Sequence, residues 1–142
     1  MGNSYSMKKI NYEDMQTAVK NPEIYMLINT LPVDNQDCLI ATTVNVEKEE
    51  AVINKYLKEN RGIKIIIYGK HCNDELVDKK YQQLLTLGFT NIYAYTGGLF
   101  EWLLLNDIYG KEMFPIINNG KKNIDILKYK PHPALNISLI EY

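Results

Sequence analysis

Apolar residues along this chain fall into an alternation of helical stripes and strand-length runs. Asn11-Tyr12-Glu13-Asp14 has the form of an N-cap followed by acids in a first turn, and predicts a short helix to about Lys20. Asn21-Pro22 stops it, because the residue before a proline is disfavoured in helical conformation. Ile24 to Ile28 is an apolar run of strand length, and Leu31 to Asp37 is polar and turn-rich. Leu39-Ile40 and Val44 to Val46 flank two threonines and predict a second short strand. Val52, Ile53, Tyr56 and Leu57 recur at helical spacing, so Glu47 to Asn60 reads as an amphipathic helix ended by Arg61-Gly62.

Ile63 to Tyr68 is a nearly unbroken β-branched run, the pattern of a strand buried on both faces in a parallel sheet. Gly69 to Asn73 is a loop. Asp74 to Leu87 then carries Leu76, Val77, Lys80, Tyr81, Leu84 and Leu87 along a helical stripe closed by Gly88. Asn91 to Tyr95 is another strand, Gly97-Gly98 a turn, and Leu99 to Ile108 an apolar helix whose Phe100, Trp102, Leu103, Leu104 and Leu105 read most simply as core, or as a covered hydrophobic face. Strands alternating with helices imply right-handed crossovers and an α/β fold, with a small, mainly parallel central sheet flanked by helices. After Phe114-Pro115 the chain turns polar. Residues 1–9 are therefore expected to be a flexible N-terminal segment, 10–113 a single domain, and 114–142 a C-terminal extension packing on it.

Composition narrows the function classes. A chain of 142 residues is the size of one domain and can form a core without staples. The net charge of −1 argues against nucleic-acid binding, which needs an excess of Lys and Arg to neutralise phosphates. No apolar run approaches the roughly 20 residues that cross a bilayer. Two cysteines, Cys38 and Cys72, make no disulfide framework, and the first ten residues lack the apolar stretch of a secretory signal. A reducing, cytoplasmic setting is the expectation. Arg61 is the sole arginine among the basic residues, so bidentate anion capture is scarcely available. No His, Cys or acidic residues show zinc or iron spacing; neither a metal nor another cofactor is expected.

The segment from Ile65 to Glu75 has the place where parallel sheets keep their ligands, a strand running into a loop that opens a helix. Loop amides and the helix dipole there favour an anion and would lower the pKa of a thiol such as Cys72. Lys70 and His71 act in the same direction, whereas Asp74 and Glu75 act against it. Followed by Leu87-Gly88-Phe89, Asn91-Ile92-Tyr93 and Gly97-Gly98-Leu99-Phe100-Glu101-Trp102, this segment resembles the second half of a rhodanese-like domain. The likeness extends more weakly over Ile10 to Lys20 and Leu39 to Val46. It implies the family's three-layer fold and, in its active members, sulfane sulfur carried on a loop cysteine.

The departures shape the functional expectation. The family's nucleophilic cysteine directly follows the central strand, and Gly69 stands there. The basic residue that often ends the family loop is replaced by Asp74 when counted from Gly69, and by Val77 when counted from Cys72. Phosphoryl transfer, which must stabilise a multiply charged oxyanion, is excluded by a loop carrying Asp74 and Glu75. Sulfur transfer is less demanding, since a persulfide can rest on backbone amides.

The expectation is a catalytically inactive binding or scaffold module with a protein partner, whose active-site-like loop comprises Gly69, Lys70, Asn73, Asp74 and Glu75. The alternative is a sulfurtransferase with Cys72 as nucleophile, assisted by His71. A third reading is a small-anion binder without turnover. The N-terminal Met1-Gly2-Asn3-Ser4-Tyr5-Ser6 also matches the myristoylation pattern, with Lys8 and Lys9 nearby. Gly2 is thus a candidate lipidation site, and one acyl chain would give only weak membrane association.

Overall fold

The protein is described by a computed structural model covering residues 7–72 and 74–118. Its elements run β1 (Lys9–Ile10), α1 (Tyr12–Lys20), β2 (Tyr25–Asn29), β3 (Cys38–Ile40), α2 (Glu49–Glu59), β4 (Lys64–Tyr68), α3 (Glu75–Leu87), β5 (Asn91–Tyr95), α4 (Gly98–Tyr109) and β6 (Ile116–Asn118). The four-stranded sheet has the order β1-β5-β4-β2, and every pairing in it is parallel. The β-branched run of β4 lies between two neighbours, with Ile65 opposite Met26 on one side and Ile92 on the other.

Successive side chains of β4 serve opposite faces of the sheet, as the pleat requires. Ile66 and Tyr68 join Met15, Leu27, Trp102 and Phe114 in one core, which α1 and α4 cover. Ile65 and Ile67 join Ile28, Ile53, Val77 and Leu84 in the other, which α2 and α3 cover. The result is the expected three-layer α/β arrangement. Asn11 caps α1 by accepting from the Asp14 amide at 3.0 Å. Gly88, in left-handed conformation, closes α3 by donating to Leu84 and Leu85 carbonyls. A Lys80–Glu49 contact of 2.6 Å ties α3 to α2.

Several expectations are corrected. Val44 to Val46 form no strand: Thr42 takes a positive φ of 69°, Thr43 makes a single parallel bridge to Leu27, and the chain then turns away. Leu76 and Leu87 stand beside the buried stripe of α3 and are 48% and 42% exposed, so Val77, Tyr81 and Leu84 carry its packing. In α4, Leu99, Trp102 and Leu103 are buried, whereas Phe100 and Leu104 face outward.

Beyond α4 the chain stays attached to the domain. Phe114 is buried against Trp102, with ring centroids 5.0 Å apart, and Trp102 Nε1 donates to the Pro115 carbonyl at 2.9 Å. β6 then pairs antiparallel with β3, Ile116 opposite Ile40 and Asn118 opposite Cys38. Among the described residues no helix is long and apolar enough to cross a membrane.

Candidate functional site

The carboxyl end of β4 delivers the loop. Tyr68, fully buried at the last strand position, anchors it: its hydroxyl accepts from the Ile40 amide at 3.2 Å and shares a 2.7 Å hydrogen bond with Thr43 Oγ1. Burial, more than any partner, pushes the Tyr68 phenol well above the ordinary tyrosine range. Tyr95, at the end of β5, is raised in the same direction, first by burial and then by its 2.5 Å hydrogen bond to Glu101 Oε1 and that carboxylate's charge. Both rings are therefore held neutral in the folded state. Their contribution to stability is complete below the usual tyrosine pKa near 10 and is lost as pH rises above it, by up to about 1.4 kcal/mol per pH unit for each group. Tyr68→Phe, which strands the Ile40 amide, is expected to cost about 1–3 kcal/mol in urea unfolding at neutral pH, and to show a shallower loss of stability above about pH 10 than the parent.

Gly69 is buried at the end of the central strand, as the sequence predicts, and Asp74 caps the following helix through a 2.9 Å bond from the Leu76 amide to Oδ1. The other carboxylate oxygen turns back into the loop. Asp74 Oδ2 accepts from the Lys70 amide at 3.3 Å and from Thr30 Oγ1 at 3.5 Å. It does so by occupying the volume a side chain on residue 69 would need. A Cβ built on Gly69 would overlap the Asp74 carboxylate and lie 2.9 Å from Asp74 Cβ. The loop thus holds a negative group of its own at the end of β4.

The opposite wall is set by α4. Its first-turn amides of Leu99 and Phe100 donate to the Gly69 and Lys70 carbonyls at 2.9 and 2.8 Å. These are the amides a helix N-terminus would otherwise offer to an anion. Loop and helix approach so closely that Gly98, at φ 69°, has the Gly69 carbonyl oxygen and the His71 amide nitrogen only 2.9 and 3.0 Å from where a Cβ would stand.

Of the residues singled out from the sequence, Gly69 and Asp74 meet inside the loop, while Lys70, His71, Cys72 and Glu75 lie exposed on its outer side. His71, Cys72, Asp74 and Glu75 line a cleft of about 340 Å³, together with Lys9, Asp78 and Thr96. Asn73 and Gly2 lie outside the described residues. Cys38 is half-buried in β3, and burial, followed by the charge of Asp37, raises its thiol pKa, so it stays protonated. Among the described residues no group of three or more His, Cys, Asp or Glu side chains is placed to hold a metal ion. Thr30 and Tyr68 shape the site without having been expected to, whereas Gly98 takes the positive φ that a Gly-Gly pair before a helix permits. The available signal for the first was a turn-favouring threonine after β2.

A family model, the Rhodanese-like domain, matches residues 20–105. Among solved structures, the chain is similar to the solution structure of the rhodanese-like domain of the Alr3790 protein from Anabaena sp., with TM-score 0.57 and 17% identity over 92% of this chain and 95% of that one. It is also similar to a single-domain sulfurtransferase, RDL2, from Saccharomyces cerevisiae, with TM-score 0.54 and 14% identity over 76% of this chain and 98% of that one. A thiosulfate sulfurtransferase from Pseudomonas aeruginosa gives TM-score 0.57 and 17% identity over 80% of this chain, but only 20% of that longer protein. No curated protein sequence matches this chain.

Proposed function

This chain belongs to the rhodanese-like family, and we propose that within it the protein is a binding or scaffold module that does not carry sulfur at the end of its central strand. One observation supports this above the others: at Gly69, where the resemblance puts the nucleophile of sulfur-carrying members, the space a side chain would need is filled by the Asp74 carboxylate. A fixed carboxylate in that volume also repels thiosulfate, phosphate and similar anions, which disfavours the reading as a small-anion binder. The loop is braced from both sides, by Asp74 and by the first turn of α4, and so presents Lys70, His71 and Cys72 outward on a rigid base. A protein partner is the occupant this exposed, mixed-charge rim would take.

The second reading is sulfur transfer through Cys72, supported by the exposed position of Cys72 beside His71 in the 340 Å³ cleft. In that reaction the Cys72 thiolate, its proton having passed to solvent, attacks the outer sulfur of thiosulfate. The S–S bond breaks, sulfite leaves with the electron pair, and a persulfide remains for cyanide to remove as thiocyanate. Thiosulfate:cyanide turnover distinguishes the two readings. The scaffold reading predicts a rate no greater than that of Cys72→Ser, whereas thiocyanate formation abolished by Cys72→Ser would replace it with the second.

A further inference from the structure

Helix α4 is apolar on nearly every side. Leu99, Trp102 and Leu103 face the core, but Phe100, Leu104 and Ile108 recur every fourth residue along the opposite side and are 44%, 42% and 60% exposed. A helix that is hydrophobic all round belongs in an interior, and a contiguous outward stripe marks a surface that something covers. We propose that this stripe is the docking site of the chain's own segment 119–142, with Leu135 to Ile140 as the contacting part.

Three features point to that occupant. The first is where the chain leaves the described domain. Phe114 and Pro115 are bound to α4 itself, through Asn106 Nδ2 to the Phe114 carbonyl at 2.8 Å and through Trp102 to Pro115. β6 then runs beside β3 toward Cys38, the end of the domain at which Gln36 bonds Asn29 at the carboxyl terminus of β2. The N-terminal turn of α4 lies at that same end, hydrogen-bonded to Gly69 and Lys70.

The second feature is reach. An extended chain advances about 3.3 Å per residue and a helix with its side chains is about 10–12 Å across, so residues 119–134 amply suffice to pass round α4. The third is pattern. Leu135, Ile137 and Leu139 alternate with Asn136 and Ser138, which places the three apolar side chains on one side of an extended segment. From Leu135 to Leu139 such a segment spans roughly 13 Å. From Phe100 to Ile108 the helix rises roughly 12 Å. Two rows of three apolar side chains of matching length can cover one another.

The whole 142-residue chain tests this directly. A photoreactive benzoylphenylalanine replacing Leu104, an exposed position that tolerates a large aromatic group, is irradiated and the products are read by peptide mass spectrometry. An intrachain crosslink to residues 135–140 in the monomer is the expected result. A crosslink between two chains would show that a second copy takes the stripe, and the absence of any crosslink would show that nothing in this chain does; either overturns the proposal. Hydrogen exchange gives an independent readout. Leu104→Asp should speed amide exchange in residues 135–140 by about tenfold or more while leaving β4 and β5 protected. Unchanged exchange in that segment would contradict the assignment even if the crosslink formed.

Discussion

Gly98→Ala should destabilise the protein by about 3 kcal/mol or more, the largest single effect expected here outside the two cores. Two independent costs add at this residue. Its φ of 69° lies in the left-handed region, where a side chain is strained. The new methyl would also meet the Gly69 carbonyl oxygen at 2.9 Å and His71 backbone atoms at 3.0 and 3.1 Å. These are main-chain atoms of a loop held by the Leu99 and Phe100 amides, so they cannot swing aside as a flexible side chain would. Relief requires α4 to draw back from the loop, which breaks those two hydrogen bonds and loosens the Trp102 packing beneath. Urea unfolding should show the loss as a lowered midpoint at unchanged slope. A midpoint within error of the parent would mean that loop and helix are not in contact as described.

Gly69→Ala is the second large effect, at about 2–3 kcal/mol, and its origin is different. Gly69 has ordinary backbone geometry, so no conformational strain enters. The obstacle is the Asp74 side chain. For a methyl on residue 69 to fit, the carboxylate must leave the Lys70 amide and Thr30, and its cap on the Leu76 amide is lost or weakened with it. Loss of an N-cap alone costs about 1 kcal/mol. The overlap with Asp74 Cβ at 2.9 Å adds a steric part that rotation about χ1 does not remove. Gly69→Cys meets the same obstacle, so a thiol placed there by itself should yield a destabilised protein that takes up no sulfur from thiosulfate through that residue.

The fold was legible in the sequence wherever a local pattern sufficed. The β-branched run of β4 marked a central parallel strand, and Gly69 duly stands at its carboxyl end. Asp74 and Gly88 bounded α3 through capping chemistry that depends on neighbours only a few residues away. What escaped was non-local or too short to carry a pattern. β1 has two residues, and β6 has three, paired with Cys38–Ile40 far back in the chain. The largely apolar α4 gave no periodic signal to distinguish the buried Trp102 and Leu103 from the outward Phe100 and Leu104.

The site shows the same division. The absence of a side chain at residue 69 and an acid at residue 74 can both be read from the sequence, and each alone weakens the case for anionic chemistry. Read as a charge, Asp74 is an electrostatic penalty in a helix's first turn. In the fold its carboxylate turns back and fills the place left open five residues earlier. That pairing depends on the rotamer of one side chain and on a Thr30 brought over from β2, neither of which spacing along the chain reveals.

The dependence between these two residues is therefore the point to measure. In a double-mutant cycle by urea unfolding, Gly69→Ala is made in the parent and again in Asp74→Gly, where the obstructing side chain is gone and a helix N-cap is still tolerated. If Asp74 occupies the space of the missing side chain, Gly69→Ala should cost about 2–3 kcal/mol in the parent and about 1.5 kcal/mol less in the Asp74→Gly background. An equal cost in both backgrounds would contradict the account, because the end of the central strand would then be open and the loop free to hold what its relatives hold.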